Sequence, residues 1–343
     1  MGQTLSEPVT DKHTTNGQDH RVMYAASSMQ GWRSVSMEDA HTTIPEYKNT
    51  KTSFFASSMV MVVSSEVANY SGEHLHHRIL DNDAFRGNKV RQALKQGYLG
   101  LDDDLRSDPL MEHVVSGCTA VSVLITKDNT LYVGNAGDSR AVLSTDGQAV
   151  ALSEDHKPTD EKETQRIKNA GGHVEFGRVN GNLALSRALG DFEFKQRDDL
   201  GPEEQAVTAD PDITEHRITE KDDFVIIACD GIWDCMTNQE AVNFVRAELS
   251  KEKPHKEICE TMMDHCLASE MGADGLGCDN MTVILVALLH NKSSDEWYHD
   301  MAAKFVKSPN DVDLYETKEP NEIPQEISKQ PQNDHNSDSD HGM

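Results

Sequence analysis

The chain has 343 residues and a formal net charge of −27, length for one large domain or two small ones and a field that disfavours nucleic acid. Hydrophobic residues make up only 36%, enough for a core built on runs such as Phe224-Val225-Ile226-Ile227, and none of those runs is long enough to cross a bilayer. Cys118, Cys229, Cys235, Cys259, Cys266 and Cys278 form no CxxC pair and follow no secretory signal, a pattern of reduced thiols in a cytoplasmic or nuclear protein.

Residues 1–20 are polar and read as a flexible N-terminus. Met1-Gly2-Gln3-Thr4-Leu5-Ser6 fits the N-myristoylation pattern with Gly2 as acceptor. One acyl chain with few basic neighbours gives only weak, reversible membrane attachment. A strand is predicted at Phe54-Phe55-Ala56, then a helix over 88–101, where Val90, Leu94 and Tyr98 put an apolar residue on one face every turn. Strands at 120–125 and 131–133 flank Lys127-Asp128-Asn129 and read as a hairpin, followed by a strand at 141–143. A helix over 160–170 is predicted to start at Thr159, with Glu163 near a capping-box position. Further strands fall at 224–227 and 282–286, with helices over 238–249 and 256–268. The strands come as neighbouring hairpins and the helices as separate long segments, which favours an α+β fold with antiparallel sheets and helices packed outside. One domain is expected over 21–291. From Lys307 onward nine carboxylates and three lysines sit among Asn, Gln, Ser and Pro, so 292–343 reads as an acidic, largely disordered tail.

Glu38-Asp39, Asp138, Asp230 and Asp279 each lie at the end of a strand-like run or in a tight Gly or Asn turn. Gathered by stacked sheets, such carboxylates form an all-oxygen site suited to Mg²⁺ or Mn²⁺. Any one of them alone reads as an Asx-turn or cap; five in one chain point to a shared site. Cys229 and Cys278, each next to one of these aspartates, read as small buried hydrophobes.

The blocks around these acids are Gly31-Trp32-Arg33, Met37-Glu38-Asp39-Ala40-His41, Gly137-Asp138-Ser139-Arg140, the run Asn180–Asp191, Asp230-Gly231-Ile232-Trp233-Asp234 and Asp279-Asn280-Met281-Thr282. In that order and spacing the chain resembles the type 2C (PPM) metal-dependent protein serine/threonine phosphatases over about residues 20 to 290. The resemblance implies two stacked antiparallel β-sheets flanked by α-helices on both sides, an α-β-β-α sandwich. It also implies a monomer acting on phosphoserine and phosphothreonine proteins by two-metal activation of water. Glu38, Asp230 and Asp279 match the residues that bind the two catalytic ions, directly or through water. Asp39 matches an acid behind them, and Asp138 one tied to a weaker third ion. Arg33 matches the arginine that holds the substrate phosphate, a task for a planar bidentate donor. One extra residue between Arg33 and Met37, relative to the usual spacing, would displace that guanidinium. The Asn180–Asp191 run matches scaffold.

Residues 57–63 break the pattern. Ser57-Ser58-Met59-Val60-Met61-Val62-Val63 stands where such phosphatases carry an Asp-Gly-His-Gly-Gly motif, and Met59 occupies the place of the aspartate that bridges both ions. Two divalent ions ~4 Å apart repel by roughly 17 kcal/mol at an effective dielectric of ~20, so losing the bridge weakens both together. The codons allow a specific explanation. Met59-Val60-Met61-Val62-Val63 must be ATG-GTN-ATG-GTN-GTN; with Ser58 as TCG, the frame one base earlier reads GAT-GGT-NAT-GGT-NGT. That small set contains Asp-Gly-His-Gly-Gly, and TCN serine codons turn Ser57-Ser58 into two residues from Phe, Leu, Ile and Val. A short frameshift in an active phosphatase is the first reading. A pseudophosphatase that binds phosphoproteins without hydrolysing them is the second.

Overall fold

The computed structural model describes residues 4–33, 37–59, 65–111, 113–272 and 275–305. The chain opens with a long pair of strands, β1 (Thr4–Gln18) and β2 (Val22–Arg33), followed by β3 (Ala40–Ile44) and β4 (Ser53–Ser58). Three helices come next, α1 (Glu66–Leu80), α2 (Asp83–Arg86) and α3 (Val90–Ser107). Then follow β5 (Gly117–Cys118), β6 (Ala120–Ile125), β7 (Thr130–Ala136), β8 (Arg140–Thr145) and β9 (Gln148–Ala151). Helix α4 (Glu161–Asn169) leads into the short strands β10 (Val174–Glu175), β11 (Arg178–Val179) and β12 (Leu189–Gly190). The last third holds β13 (Asp212–Arg217), β14 (Asp222–Ala228), α5 (Asp230–Trp233), α6 (Asn238–Leu249), α7 (His255–Cys266), β15 (Met281–Leu288) and α8 (Ser294–Phe305).

Two antiparallel sheets carry the fold. One has the order β1-β2-β15-β14-β8-β9 and the other β13-β7-β6-β4-β3. Period-2 alternation decides which residue goes where. In β15, Ile284, Val286 and Leu288 enter the core between the sheets, while Met281, Val283, Leu285 and Ala287 face α6, α7 and α8. In β14, Val225 and Ile227 point between the sheets and Phe224, Ile226 and Ala228 toward the helices. Both faces are covered, so both strands read as unbroken apolar runs. Helices α1 and α3 cover the second sheet with Leu75, Ile79, Leu94, Tyr98 and Leu101. The result is the expected α-β-β-α sandwich.

Several elements depart from the sequence reading. Residues 4–18, expected to be flexible, form β1, whose register with β2 runs from Thr4↔Arg33 to Gln18↔Met23. Its polar sequence is tolerated because it is an edge strand, and Lys12 and Thr14 reach Asp264 and Glu260 on α7. The fold also continues past residue 291. Helix α8 packs Trp297, Met301 and Phe305 into the core that covers the first sheet, so the first part of the expected tail belongs to the domain. The helix at 160 begins with Asp160 as N-cap and no side-chain cap bond; Glu163 instead accepts from Arg166, Ser186 and Arg187. The capping box appears at α6, where Thr237 and Glu240 cap each other. Gly2, the insertion at Ser34–Ser36, residues 60–63 and the tail beyond Phe305 lie outside the described residues.

Candidate active site

The strand registers bring the predicted acids to one end of the sandwich. Met281 pairs with Met29, and Ala228 pairs with both Val283 and Arg140. Arg33 at the end of β2, Asp279 before β15, Asp230 after β14 and Asp138 before β8 therefore share one edge of the first sheet. In the second sheet Ala40 pairs with Ser58 and Ala120 with Ala136, which sets Asp39, Met59 and Gly137 at the same end. Close approach there depends on glycine. A Cβ on Gly231 would lie 2.2 Å from the Asn280 carbonyl oxygen, and one on Gly137, at φ +124°, 2.6 Å from Thr119.

Hydrogen bonds then fix the side chains. The Arg33 guanidinium holds Asp279 with two bonds, Nε to Oδ1 at 2.7 Å and Nη2 to Oδ2 at 2.5 Å. Asn280 ties three segments together: its Oδ1 accepts from the Glu38 N–H at 2.9 Å, its Nδ2 donates to the Gln30 carbonyl, and its own N–H donates to Asp279 Oδ1. Thr282 donates to Asp39 Oδ2 at 2.7 Å. Lys157 donates to Asp138 Oδ2 at 2.5 Å. The Met59 side chain is buried and its carbonyl accepts from Thr119 N–H at 2.9 Å; Thr119 in turn shares a hydroxyl contact with Ser139, beside Asp138.

The centre holds more negative charge than its own cations neutralise. Burial, opposed by the Thr282 hydroxyl, pushes the Asp39 carboxyl up to about 7, with Asp279 and Glu38 adding to the push. Asp230 is pushed well above the usual carboxylate range by burial and then by Asp138 and Asp279. Its residue reaches solvent in part, but its Oδ1 does not. Glu38 is raised by burial against the pull of Arg33. Burial works against the Lys157 ammonium, yet Asp138 outweighs it and the net shift is upward. Asp39 Oδ1, Asp138 Oδ1 and Asp230 Oδ1 are buried with no hydrogen-bond partner in the described structure.

Partnerless buried carboxylate oxygens in an all-oxygen set have the chemistry of a hard-cation site. The geometry is not closed, however: among the described residues no three His, Cys, Asp or Glu side chains converge closely enough to hold an ion. Glu38, Asp39, Asp138, Asp230 and Asp279 are brought within each other's field, and Arg33 joins them by way of Asp279 rather than standing free for a phosphate. Sequence reading missed Lys157, Asn280 as the tie between segments, and the pressure from Asp234, itself raised by burial and by Asp138. Asn280 was visible inside the Asp279–Thr282 block. Nothing in the sequence around Lys157 signals its partner, because that pairing depends on how the sheets stack.

The α-β-β-α sandwich is the fold of the phosphatase 2C class, and comparison with known proteins agrees. The family model for protein phosphatase 2C matches residues 22–274. The chain is 50% identical over 312 residues to protein phosphatase 2C homolog 2 of Hypocrea jecorina, covering 89% of this chain and 71% of that protein. It is 47% identical over 331 residues to a probable protein phosphatase 2C of Caenorhabditis elegans, covering 96% and 91%. Among solved structures, a phosphatase from Toxoplasma gondii superposes with a TM-score of 0.71 at 26% identity, covering 82% of this chain and 96% of that one. The chain belongs to the protein phosphatase 2C family, whose members are metal-dependent protein serine/threonine phosphatases.

Proposed function

We propose that this chain descends from an enzyme that hydrolyses phosphoserine and phosphothreonine in proteins, and that a short frameshift at residues 57–63 has removed part of its centre. The observation that carries the first half is the group of buried carboxylate oxygens without partners on Asp39, Asp138 and Asp230. These acids would hold two Mg²⁺ or Mn²⁺ ions, with Asp138 beside a weaker third, and the bound ions would supply charge neutralisation for the phosphoryl oxygens and a lowered pKa for a water, so that hydroxide is the nucleophile. In this reading Glu38, Asp230 and Asp279 supply oxygen donors, Asp39 fixes the segment behind them through Thr282, and Asn280 holds the Glu38 backbone in place. The Arg33 side chain is 37% exposed and turns from Asp279 to the substrate phosphate.

The second half is supported by β4. Ser57 is fully buried and its hydroxyl has no hydrogen-bond partner, a defect costing on the order of 1–3 kcal/mol that Val, Ile, Leu or Phe would remove. The alternative, a pseudophosphatase that binds phosphoproteins, draws support from Arg33–Asp279 and Lys157–Asp138, which partly neutralise the acids without an ion. A genomic and transcript read across residues 56–65 separates the two. In the protein, Mn²⁺-dependent hydrolysis of p-nitrophenyl phosphate should be near background for the chain as it stands. Replacing 57–63 with Val-Phe-Asp-Gly-His-Gly-Gly should raise it beyond the ~10–100-fold typical of residues that only support ligands, and Asp230→Asn should abolish the gain. Comparable turnover in the unrepaired chain would refute the placing of the bridge at Met59. A repaired chain that stays inactive would point to the insertion after Arg33, with deletion of Ser34 as the next step.

The same proposal takes the protein as a monomer of the cytoplasm or nucleus. It also takes Gly2 as an acylation site: co-expression with a myristoyl-transferase should add one C14 chain by mass, lost in Gly2→Ala.

A further inference from the structure

Two of the six cysteines meet behind the acidic centre. Cys235 follows α5, five residues after Asp230, and Cys266 is the last residue of α7. The Cys235 S–H donates to the Cys266 carbonyl oxygen at 3.5 Å and to that of Gly231 at 3.6 Å, which sets the Cys235 sulfur against residue Cys266. Cys235 is partly exposed, whereas Cys266 is buried. We propose that Cys235 and Cys266 form an oxidisable dithiol, in which peroxide closes a disulfide between the end of α5 and the end of α7.

The surroundings assign the roles. Interaction with Cys266 draws the Cys235 thiol below its usual range, against burial and the Asp234 carboxylate, whereas Cys266 is pushed well up by Cys235 and by burial. A partly exposed thiolate is the nucleophile in such chemistry. Cys118 and Cys259 are fully buried, and burial pushes each up to about 12; Cys229 is pushed well up in the same way. The Cys235 thiolate attacks one peroxide oxygen, the O–O bond breaks, and the sulfur becomes a sulfenic acid while the leaving hydroxide takes a proton to give water. The Cys266 sulfur then attacks Cys235, the S–O bond breaks, and the thiol proton leaves with the hydroxide as a second water. Two thiols lose two electrons and one peroxide gains them.

The position ties this bond to the site. After Cys266 the chain runs through Ala268, whose N–H donates to the Gly277 carbonyl and whose own carbonyl accepts from the Trp32 indole, before reaching Asp279. A bond from Cys235 to Cys266 therefore joins the segment carrying Asp230 to the one leading to Asp279, with Arg33 next to Trp32.

The experiment needs no catalytic activity, so it stands apart from the proposed function. The full chain is treated with a small molar excess of hydrogen peroxide without reductant, alkylated, digested and mapped by mass spectrometry. The expected product is a cross-linked peptide pair containing Cys235 and Cys266, lighter by two hydrogens than the reduced peptides and released by dithiothreitol. Cys235→Ser should prevent the bond. Cys266→Ser should leave Cys235 as a sulfenic acid that dimedone traps. Full alkylation of Cys235 after peroxide, over-oxidation of Cys235 with no cross-link, or a first bond between other cysteines would overturn the proposal. If Cys266→Ser does not fold, the peptide map of the unaltered chain and of Cys235→Ser still decides.

Discussion

Asp191, in a segment that sequence reading took as scaffold, shows what one buried charge costs. It stands at φ +50° against Gly117, where a Cβ would lie 2.2 Å from its carboxylate. The nearest ammonium, Lys195, donates to both oxygens of Asp102 and to the Ala188 carbonyl, and Asp191 Oδ2 is left without a partner. Burial pushes this carboxyl up to about 7, against the pull of Lys195. Below about pH 4 both folded and unfolded chains carry it protonated and it costs nothing. Between about pH 4 and 7 only the unfolded chain ionises, so stability falls as pH rises, and above 7 the loss is complete. Asp191→Asn cannot ionise. Thermal melts from pH 5 to 8 should show the variant gaining on the parent as pH rises, with an upper bound of about 4 kcal/mol for a shift of this size. A difference that does not change with pH would mean that Asp191 is ionised and satisfied in the folded chain.

At the scale of elements, α8 corrects the sequence-based boundary most sharply. Trp297 is fully buried, His255 on α7 donates its backbone N–H to the Tyr298 hydroxyl at 2.9 Å, and Lys304 reaches the buried Asp223 at 2.6 Å. Ending the chain at residue 292 removes Trp297, Met301 and Phe305 from one core and leaves Asp223 buried without its cation. Losses of about 3–5 kcal/mol accompany a buried Trp alone. That chain should therefore melt many degrees lower or come out insoluble, whereas one ending at residue 308 should melt with the full-length protein. Equal melting of both would show that α8 contributes nothing to the fold. The helix escaped notice because Ser294–Phe305 places Trp297, Met301 and Phe305 among charged residues just where composition turns acidic. β2 escaped for a different reason: Ala25, facing the helices, Ala26, facing the other sheet, and the buried Ser27 and Ser28 fill both faces with small side chains and leave no apolar run. By contrast β14 and β15, buried on both faces, and α3, with Val90, Leu94 and Tyr98 in register, were plain in the sequence. The acids were legible through the tight turns that hold them. Their partners Lys157 and Thr282 were not, because those pairings arise only when the two sheets stack.

For the molecule as a whole, one end of the sandwich is where acids from both sheets crowd together. Asp138 belongs to the connection from β7 in one sheet to β8 in the other, Asp39 precedes β3 yet bonds to Thr282 in β15, and Asp230 and Asp279 flank the paired strands β14 and β15. Crowding these acids at one place raises the energy of the folded state, and the net charge of −27 adds a diffuse repulsion. A cation bound only by the folded chain would relieve both, stabilising it by about 2.7 kcal/mol at a free concentration 100 times Kd. For a domain of this size that corresponds to a rise of roughly 4 °C. In the proposed reading Met59 of this chain stands in the place of a bridging carboxylate, and among the described residues no three His, Cys, Asp or Glu side chains converge on an ion. Millimolar Mn²⁺ should therefore move its melting temperature little more than potassium chloride of equal ionic strength, which screens the net charge alike in every variant. With residues 57–63 replaced by Val-Phe-Asp-Gly-His-Gly-Gly, Mn²⁺ should add several degrees beyond the salt control. Chelation should reverse the gain, and Asp230→Asn in the same background should remove most of it. A large Mn²⁺ shift in the unrepaired chain would mean that Glu38, Asp230 and Asp279 bind the ion without a bridge. The proposed frameshift would then have removed turnover without removing the metal.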